Sequence, residues 1–119
     1  MKNRLKAGIV GAGFMARVHA RAIRDSGHEV LGLVSSTPES TASAANRLGV
    51  DVTFSSWQEL VASPEIDVVH ICTPNELHAP IIREAAQAGK QIVCEKPISV
   101  SLDEALDIKS AVEFAGVGF

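Results

Sequence analysis

Apolar residues follow two spacings that alternate along this chain: short unbroken runs, and residues three and four apart. Ala7–Val10 is a short run, and directly behind it Ala16, Ala20 and Ile23 recur on one helical stripe, while Arg17, Arg21 and Arg24 fall on another that faces solvent. Ser26-Gly27 ends that helix, and Glu29–Val34 reads as the second strand. Thr37 then stands as N-cap with Pro38 at the first helical position, and Ala42, Ala45 and Leu48 are the predicted buried stripe before Gly49. A short third strand is expected around Val52–Phe54. Ser56-Trp-Gln-Glu59 is a capping box that opens a brief helix to about Ala62. Asp67–Cys72 is apolar enough for a central strand, and a helix after Pro74-Asn75 runs to Gly89 with Leu77, Ile81, Ala85 and Ala88 on one face. Gln91–Cys94 is the fifth strand, and a second capping box, Ser101-Leu-Asp-Glu104, opens a helix to about Ala115.

Strand and helix alternating from end to end predict an α/β fold: a doubly wound parallel sheet with crossover helices, in strand order 3-2-1-4-5. A ligand then lies over the carboxyl ends of strands one and four, where the order reverses. With 119 residues, 46% of them hydrophobic, residues 1–119 suit a single compact domain. A net charge of −3 offers no basic footprint for nucleic acid or an anionic membrane. No apolar run approaches the roughly 18 residues of a membrane span. The first residues read as a strand with Lys2, Arg4 and Lys6 interspersed, unlike a signal peptide, and Cys72 and Cys94 alone make no disulfide framework. A reduced, cytoplasmic protein is the expectation.

The candidate chemistry gathers after the strands. Gly11-Ala-Gly13-Phe14-Met15-Ala16 joins the first strand to the first helix as a dinucleotide fingerprint in its alanine-ending form. Gly11 permits the tight turn, Gly13 lets the backbone approach a pyrophosphate, and Ala16 lets helix and strand pack closely, with free N–H groups facing the anion. An ordinary strand–turn–helix corner is the plainer reading. At the end of the second strand, where an acidic residue would accept a ribose 2′-hydroxyl, stand Ser35-Ser36-Thr37. No cation is present there for a 2′-phosphate either, so NAD and NADP both stay open with a lean to NAD. These residues equally serve as a helix cap.

Thr73-Pro74-Asn75 follows the fourth strand at the switch point, as a cofactor-lining loop or as a cap by Asn75. Glu95-Lys96-Pro97 follows the fifth, where Lys96 can donate to a substrate hydroxyl or assist proton transfer. Cys72, Cys94, His70 and His78 lack the close spacing of a metal site, so no metal is expected. His19 and His28 read as surface or helix-end residues, and Trp57 as packing the short helix onto the sheet.

Taken together, Gly11 to Ala16, Asp67-Val-Val-His-Ile-Cys-Thr-Pro-Asn75 with His78, and Cys94-Glu-Lys-Pro97 resemble the N-terminal half of the Gfo/Idh/MocA family, the glucose–fructose oxidoreductase and inositol 2-dehydrogenase relatives. The resemblance covers Leu5 to about Ala115. It implies a Rossmann-type domain of an NAD(P)-dependent oxidoreductase that transfers hydride to or from the CH–OH group of a sugar or polyol. It further implies that Lys96 touches substrate, that Cys72, Thr73, Pro74, Asn75, His78, Glu95 and Pro97 shape the nicotinamide pocket, and that Ser35 and Ser36 lie at the adenosine ribose.

Members of that family are much longer and add a second α/β domain that binds substrate. This chain stops at Gly116-Val-Gly-Phe119, where a sixth strand would begin. The expectation is a truncated domain that holds cofactor without turnover. The alternative is a stand-alone, non-catalytic dinucleotide-binding or interaction module. An unpaired sheet edge invites a homo-oligomer.

Overall fold

The computed structural model describes residues 4–119; Lys2 lies outside them. The chain forms β1 (Lys6–Val10), α1 (Phe14–Asp25), β2 (Glu29–Val34), α2 (Pro38–Leu48), β3 (Val52–Thr53), α3 (Trp57–Ala62), β4 (Val68–Ile71), α4 (His78–Gln87), β5 (Gln91–Cys94) and α5 (Leu102–Ala115). The strands make one parallel sheet in the order β3-β2-β1-β4-β5, as the alternation predicts. None of the described helices is long and apolar enough to cross a membrane.

Two apolar layers sandwich the sheet. Ala16, Ala20 and Ile23 of α1 and Ala44 and Ala45 of α2 pack on Ala7, Ile9, Val30 and Leu33. On the opposite face Leu60 of α3, Ile81, Ile82 and Ala85 of α4 and Ile108 of α5 pack on Val69, Ile71 and Ile92. Each fully buried Ile or Leu in these layers contributes on the order of 2 kcal/mol. Small residues dominate α1 where it crosses β1, and Ala16 is completely buried there, so helix and glycine turn sit close to the sheet.

The caps follow the sequence with one displacement. The hydroxyls of Thr37, Ser56 and Ser101 accept the backbone N–H of Ser40, Glu59 and Glu104. In a capping box the glutamate answers at the N-cap itself. Here Glu59 accepts from Ser55 and Glu104 from Val100, each one residue earlier.

Two helix stripes differ from expectation. In α2 the buried residues are Thr41, Ala44 and Ala45, not Ala42, because Thr41 Oγ1 turns inward to accept the Ser35 N–H at 2.9 Å and fixes the helix rotation. In α4 Leu77 and Ala88 stay exposed and His78, Ala79 and Ile82 are buried instead, since a 3-10 turn over Asn75–Leu77 precedes the helix and resets its phase. Asn75 does not cap that helix. Beyond α5 the chain returns beside β5, where the Ile92 N–H donates to the Gly118 carbonyl at 2.9 Å.

Candidate functional site

The carboxyl ends of β1, β2 and β4 open onto a cleft of about 540 Å³. Gly11, Gly13, Ser35, Ser36, Cys72, Thr73 and Pro74 line it together with Ser40, Trp57 and Leu77. Residues far apart in sequence therefore meet where the strand order reverses, the place a doubly wound sheet reserves for a ligand.

The glycines divide their work. Gly11 adopts φ +130°, and its N–H donates to the Val34 carbonyl at 2.8 Å, so the turn is pinned to β2. A Cβ there would lie 2.8 Å from the carbonyl carbon of Cys72, and closer still to its oxygen. Gly13 has an ordinary φ of −83°, and a Cβ added to it would meet nothing within 4 Å. Its bareness serves whatever enters the cleft, not the fold. The first turn of α1 has no side-chain cap and no acidic residue, which leaves its orphan N–H groups available to an anion. A cradle with this opening and this polarity fits a pyrophosphate.

Arg47 holds the turn from outside, donating from Nη2 to the Ala12 carbonyl at 3.0 Å. No sequence motif marks it. Phe14 is largely exposed and lines a separate hollow with Arg17 and Arg47, and Met15 is also exposed. At the carboxyl end of β2 Ser35 Oγ and Ser40 Oγ lie 2.9 Å apart, while Ser35, Ser36 and Thr37 continue along a second shelf. Thr37 caps α2, while Ser35, Ser36 and Ser40 line the cleft, so the stretch divides between the helix cap and the cleft wall.

On the other side the Thr73 and Lys96 loops are joined from below. His78 is completely buried, with Nδ1 2.6 Å from the Pro97 carbonyl and Nε2 3.0 Å from the Thr73 carbonyl. It ties the loops together beneath the surface. Lys96 is exposed and heads a cis peptide with Pro97. Asn75, His78, Glu95, Lys96 and Pro97 stand outside the cleft lining itself.

His19 is not a surface residue. Its side chain is 10% exposed, and Nε2 lies 2.6 Å from Glu95 Oε2. Its Nδ1 lies 3.0 Å from Nδ1 of His70, the rings meeting edge to face. The helical count places His19 off the alanine stripe, but this flank of α1 meets β4 at His70.

Burial, and secondarily His19, pushes the His70 imidazole down from 6.5 to about 4. Burial, with the Glu95 charge next, pushes the thiols of Cys72 and Cys94 up to about 12 and about 11, so both stay protonated at neutral pH. Among the described residues no three His, Cys, Asp or Glu side chains are arranged to hold a metal.

The depressed His70 value sets a pH dependence. Between pH 6.5 and about 4 the unfolded chain binds a proton at this residue that the folded chain refuses. Its contribution is thus complete above 6.5 and lost as the pH falls toward 4. The loss expected across this window is about 2 kcal/mol, allowing for the part of the ring that solvent reaches. Urea midpoints of wild type and His70→Asn measure it: the variant should show a flatter profile, and parallel profiles would refute the assignment.

Residues 5–119 match the Gfo/Idh/MocA family, an oxidoreductase family with an NAD-binding Rossmann fold. A 1,5-anhydro-D-fructose reductase from Ensifer adhaerens is 38% identical over 111 residues, covering 92% of this chain and 33% of the relative. A levoglucosan dehydrogenase solved with NADH and levoglucosan superposes with a TM-score of 0.92 at 34% identity, covering 97% of this chain and 34% of that one. A biliverdin reductase from Synechocystis, solved with biliverdin and NADP+, gives 0.89 at 32% identity over 96% of this chain and 36% of that one. The chain thus spans about a third of the length of the relatives it matches. With the glycine turn, the sheet order and the match running through the whole described fold, the chain belongs to the Gfo/Idh/MocA oxidoreductase family, as its NAD(P)-binding Rossmann domain.

Proposed function

We infer that this chain supplies the cofactor-holding part of a dehydrogenase acting on the CH–OH group of a sugar or polyol, and that it binds dinucleotide without turnover by itself. The cleft at the switch point carries this reading, with Gly13 bare at its mouth and uncapped N–H groups behind it. In this assignment Gly11, Gly13, Phe14 and Met15 surround the pyrophosphate, and Ser35, Ser36 and Thr37 meet the adenosine ribose. Cys72, Thr73, Pro74, Asn75, Glu95 and Pro97 enclose the nicotinamide end, His78 holds that enclosure together, and Lys96 reaches the reacting hydroxyl. The bound cofactor supplies hydride chemistry at C4 of its nicotinamide ring. The chain's own task is to orient it and to keep an ammonium group at the substrate oxygen.

A sugar or polyol substrate is supported by relatives whose names specify 1,5-anhydro-D-fructose and levoglucosan. NAD is favoured over NADP because among the described residues no lysine or arginine lines the Ser35–Thr37 shelf to neutralise a 2′-phosphate.

Calorimetric titration with NADH and NADPH tests the assignment, together with Gly13→Ala. Wild type should bind NADH more tightly than NADPH. The variant should keep its stability within about 1 kcal/mol, the lost cap preference being offset by a less flexible unfolded chain. Its NADH affinity should fall at least about tenfold, near 1.4 kcal/mol. Failure of both cofactors to bind, or an unchanged affinity in the variant, would overturn the reading.

A further inference from the structure

His70, His19 and Glu95 form an unbroken line of ring nitrogens and a carboxylate, and the cofactor reading does not account for it. Glu95 Oε2 lies 2.6 Å from His19 Nε2, and His19 Nδ1 lies 3.0 Å from His70 Nδ1. The far end also has an outlet. His70 lines a cavity of about 220 Å³ with Leu5, Ile23, His28 and Val68, between α1 and the sheet. No buried side-chain nitrogen or oxygen among the described residues lacks a partner, and His70 Nε2 has no hydrogen-bond partner among them, so this nitrogen is open to the cavity.

Hydrogen-bond chemistry then restricts where the protons sit. A carboxylate only accepts, so His19 must donate from Nε2 to Glu95. If His19 is neutral, its Nδ1 is a lone pair and His70 must donate from Nδ1, leaving His70 Nε2 open to the cavity. If His19 carries a second proton, its Nδ1–H donates to His70 Nδ1, and a neutral His70 must hold its proton on Nε2. The line therefore has two internally satisfied states that differ by one proton and by the tautomer of His70.

We propose that His70, His19 and Glu95 are a one-proton relay that joins the cavity beneath α1 to the loop that carries Lys96, outside the lining of the cofactor cleft. A proton enters at His70 Nε2 while the Nδ1 proton of His70 passes to His19 Nδ1. His19 can then pass its Nε2 proton to Glu95, beside Lys96. The proposal rests on the reading above for what lies at that end. A bound reduced cofactor would supply the hydride for a carbonyl carbon, and the relay would supply the proton that its oxygen needs; in the oxidative direction the relay would carry a proton away by the reverse path.

Among the described residues, the titratable groups that face the line besides its members are the thiols of Cys72 and Cys94 near Glu95, both protonated at neutral pH, and His28 across the cavity. His28 Nδ1 is already engaged as acceptor of the Leu5 N–H at 2.9 Å.

Nitrogen-15 NMR of the histidine rings in the 119-residue chain, titrated with acid, decides the matter. The expected result is that His70 begins as the Nδ1–H tautomer and switches to Nε2–H in the same step in which His19 gains its second proton. In His19→Asn the joint step should be lost and His70 should become a mixture of tautomers. A His70 tautomer that stays constant while His19 protonates, or a His19 Nε2 without a proton at neutral pH, would overturn the relay. NADH titration of the same samples keeps the two readings apart. Normal tautomer coupling without NADH binding leaves the relay standing and removes the cofactor assignment, whereas NADH binding with uncoupled rings does the opposite.

Discussion

Gly11→Ala is expected to cost roughly 3–5 kcal/mol, a large share of the usual net stability of about 5–15 kcal/mol. Two independent penalties act on one methyl group. The residue sits at φ +130°, a region that side-chain-bearing residues rarely adopt. The added carbon would also enter the backbone of Cys72, 2.8 Å from its carbonyl carbon, at the end of β4. Backbone cannot yield there, because the Cys72 N–H is held by Val10 and the Gly11 N–H by Val34, each at 2.8 Å. Gly8→Ala is the informative comparison. Its Cβ would press on the Leu60 side chain, 2.8 Å from Cδ2, which can rotate at a lower cost. Urea denaturation should rank Gly11→Ala far below Gly8→Ala, with Gly13→Ala near wild type. A Gly11→Ala midpoint equal to that of Gly8→Ala would contradict this account.

His78→Leu should be the second most damaging change, lowering stability by about 2–4 kcal/mol and weakening NADH at least about tenfold. The ring is fully buried and stands between the Pro97 and Thr73 carbonyls at 2.6 and 3.0 Å. A leucine fills much of the volume but donates no hydrogen bond, so the part-buried carbonyls lose their polar neighbour, at up to about 1–3 kcal/mol for the one that accepts the ring N–H. The effect on binding follows from the position of those carbonyls. One belongs to the loop that walls the cleft, the other to the loop that carries Lys96. Once the clamp is gone the loops move independently and the proposed nicotinamide end loses its fixed width. His78→Gln, which restores one donor, should recover part of both losses. If His78→Leu lowers the urea midpoint without touching NADH affinity, His78 is a core residue alone.

Much of this fold was legible along the chain because its signals are local. The N-caps at Thr37, Ser56 and Ser101 need only the following turn to form, and each appears in place. The stripe of α1 and all five strands follow from spacing over a few residues. The helix rotations were less secure. In α2 the polar Thr41 is buried ahead of Ala42 because a hydrogen bond to Ser35 outweighs one methyl group of apolar area. In α4 the 3-10 turn shifts the phase of every later position.

The candidate site divides in the same manner. Gly11, Gly13, Ser35, Ser36, Thr73 and Pro74 could be named from their places at strand ends, since in a parallel sheet all such ends lie on one edge. Trp57, Ser40 and Arg47 could not, because the first two enter the cleft, and the last reaches the glycine turn, only through the packing of α3 and α2 on the sheet.

The sequence by itself determined the order of elements, their caps, the strand order and the glycine turn, all of which arise from interactions between residues a few positions apart or from a general rule of handed crossovers. Only the tertiary structure decided that His19 leaves the surface to join His70 and Glu95, and that His78 clamps two loops from beneath. His19 is 51 residues from His70 and 76 from Glu95, and His78 is 19 from Pro97. Such contacts depend on the angle and depth at which a helix crosses the sheet, quantities set by the summed packing of both apolar layers and by no single stretch of the chain.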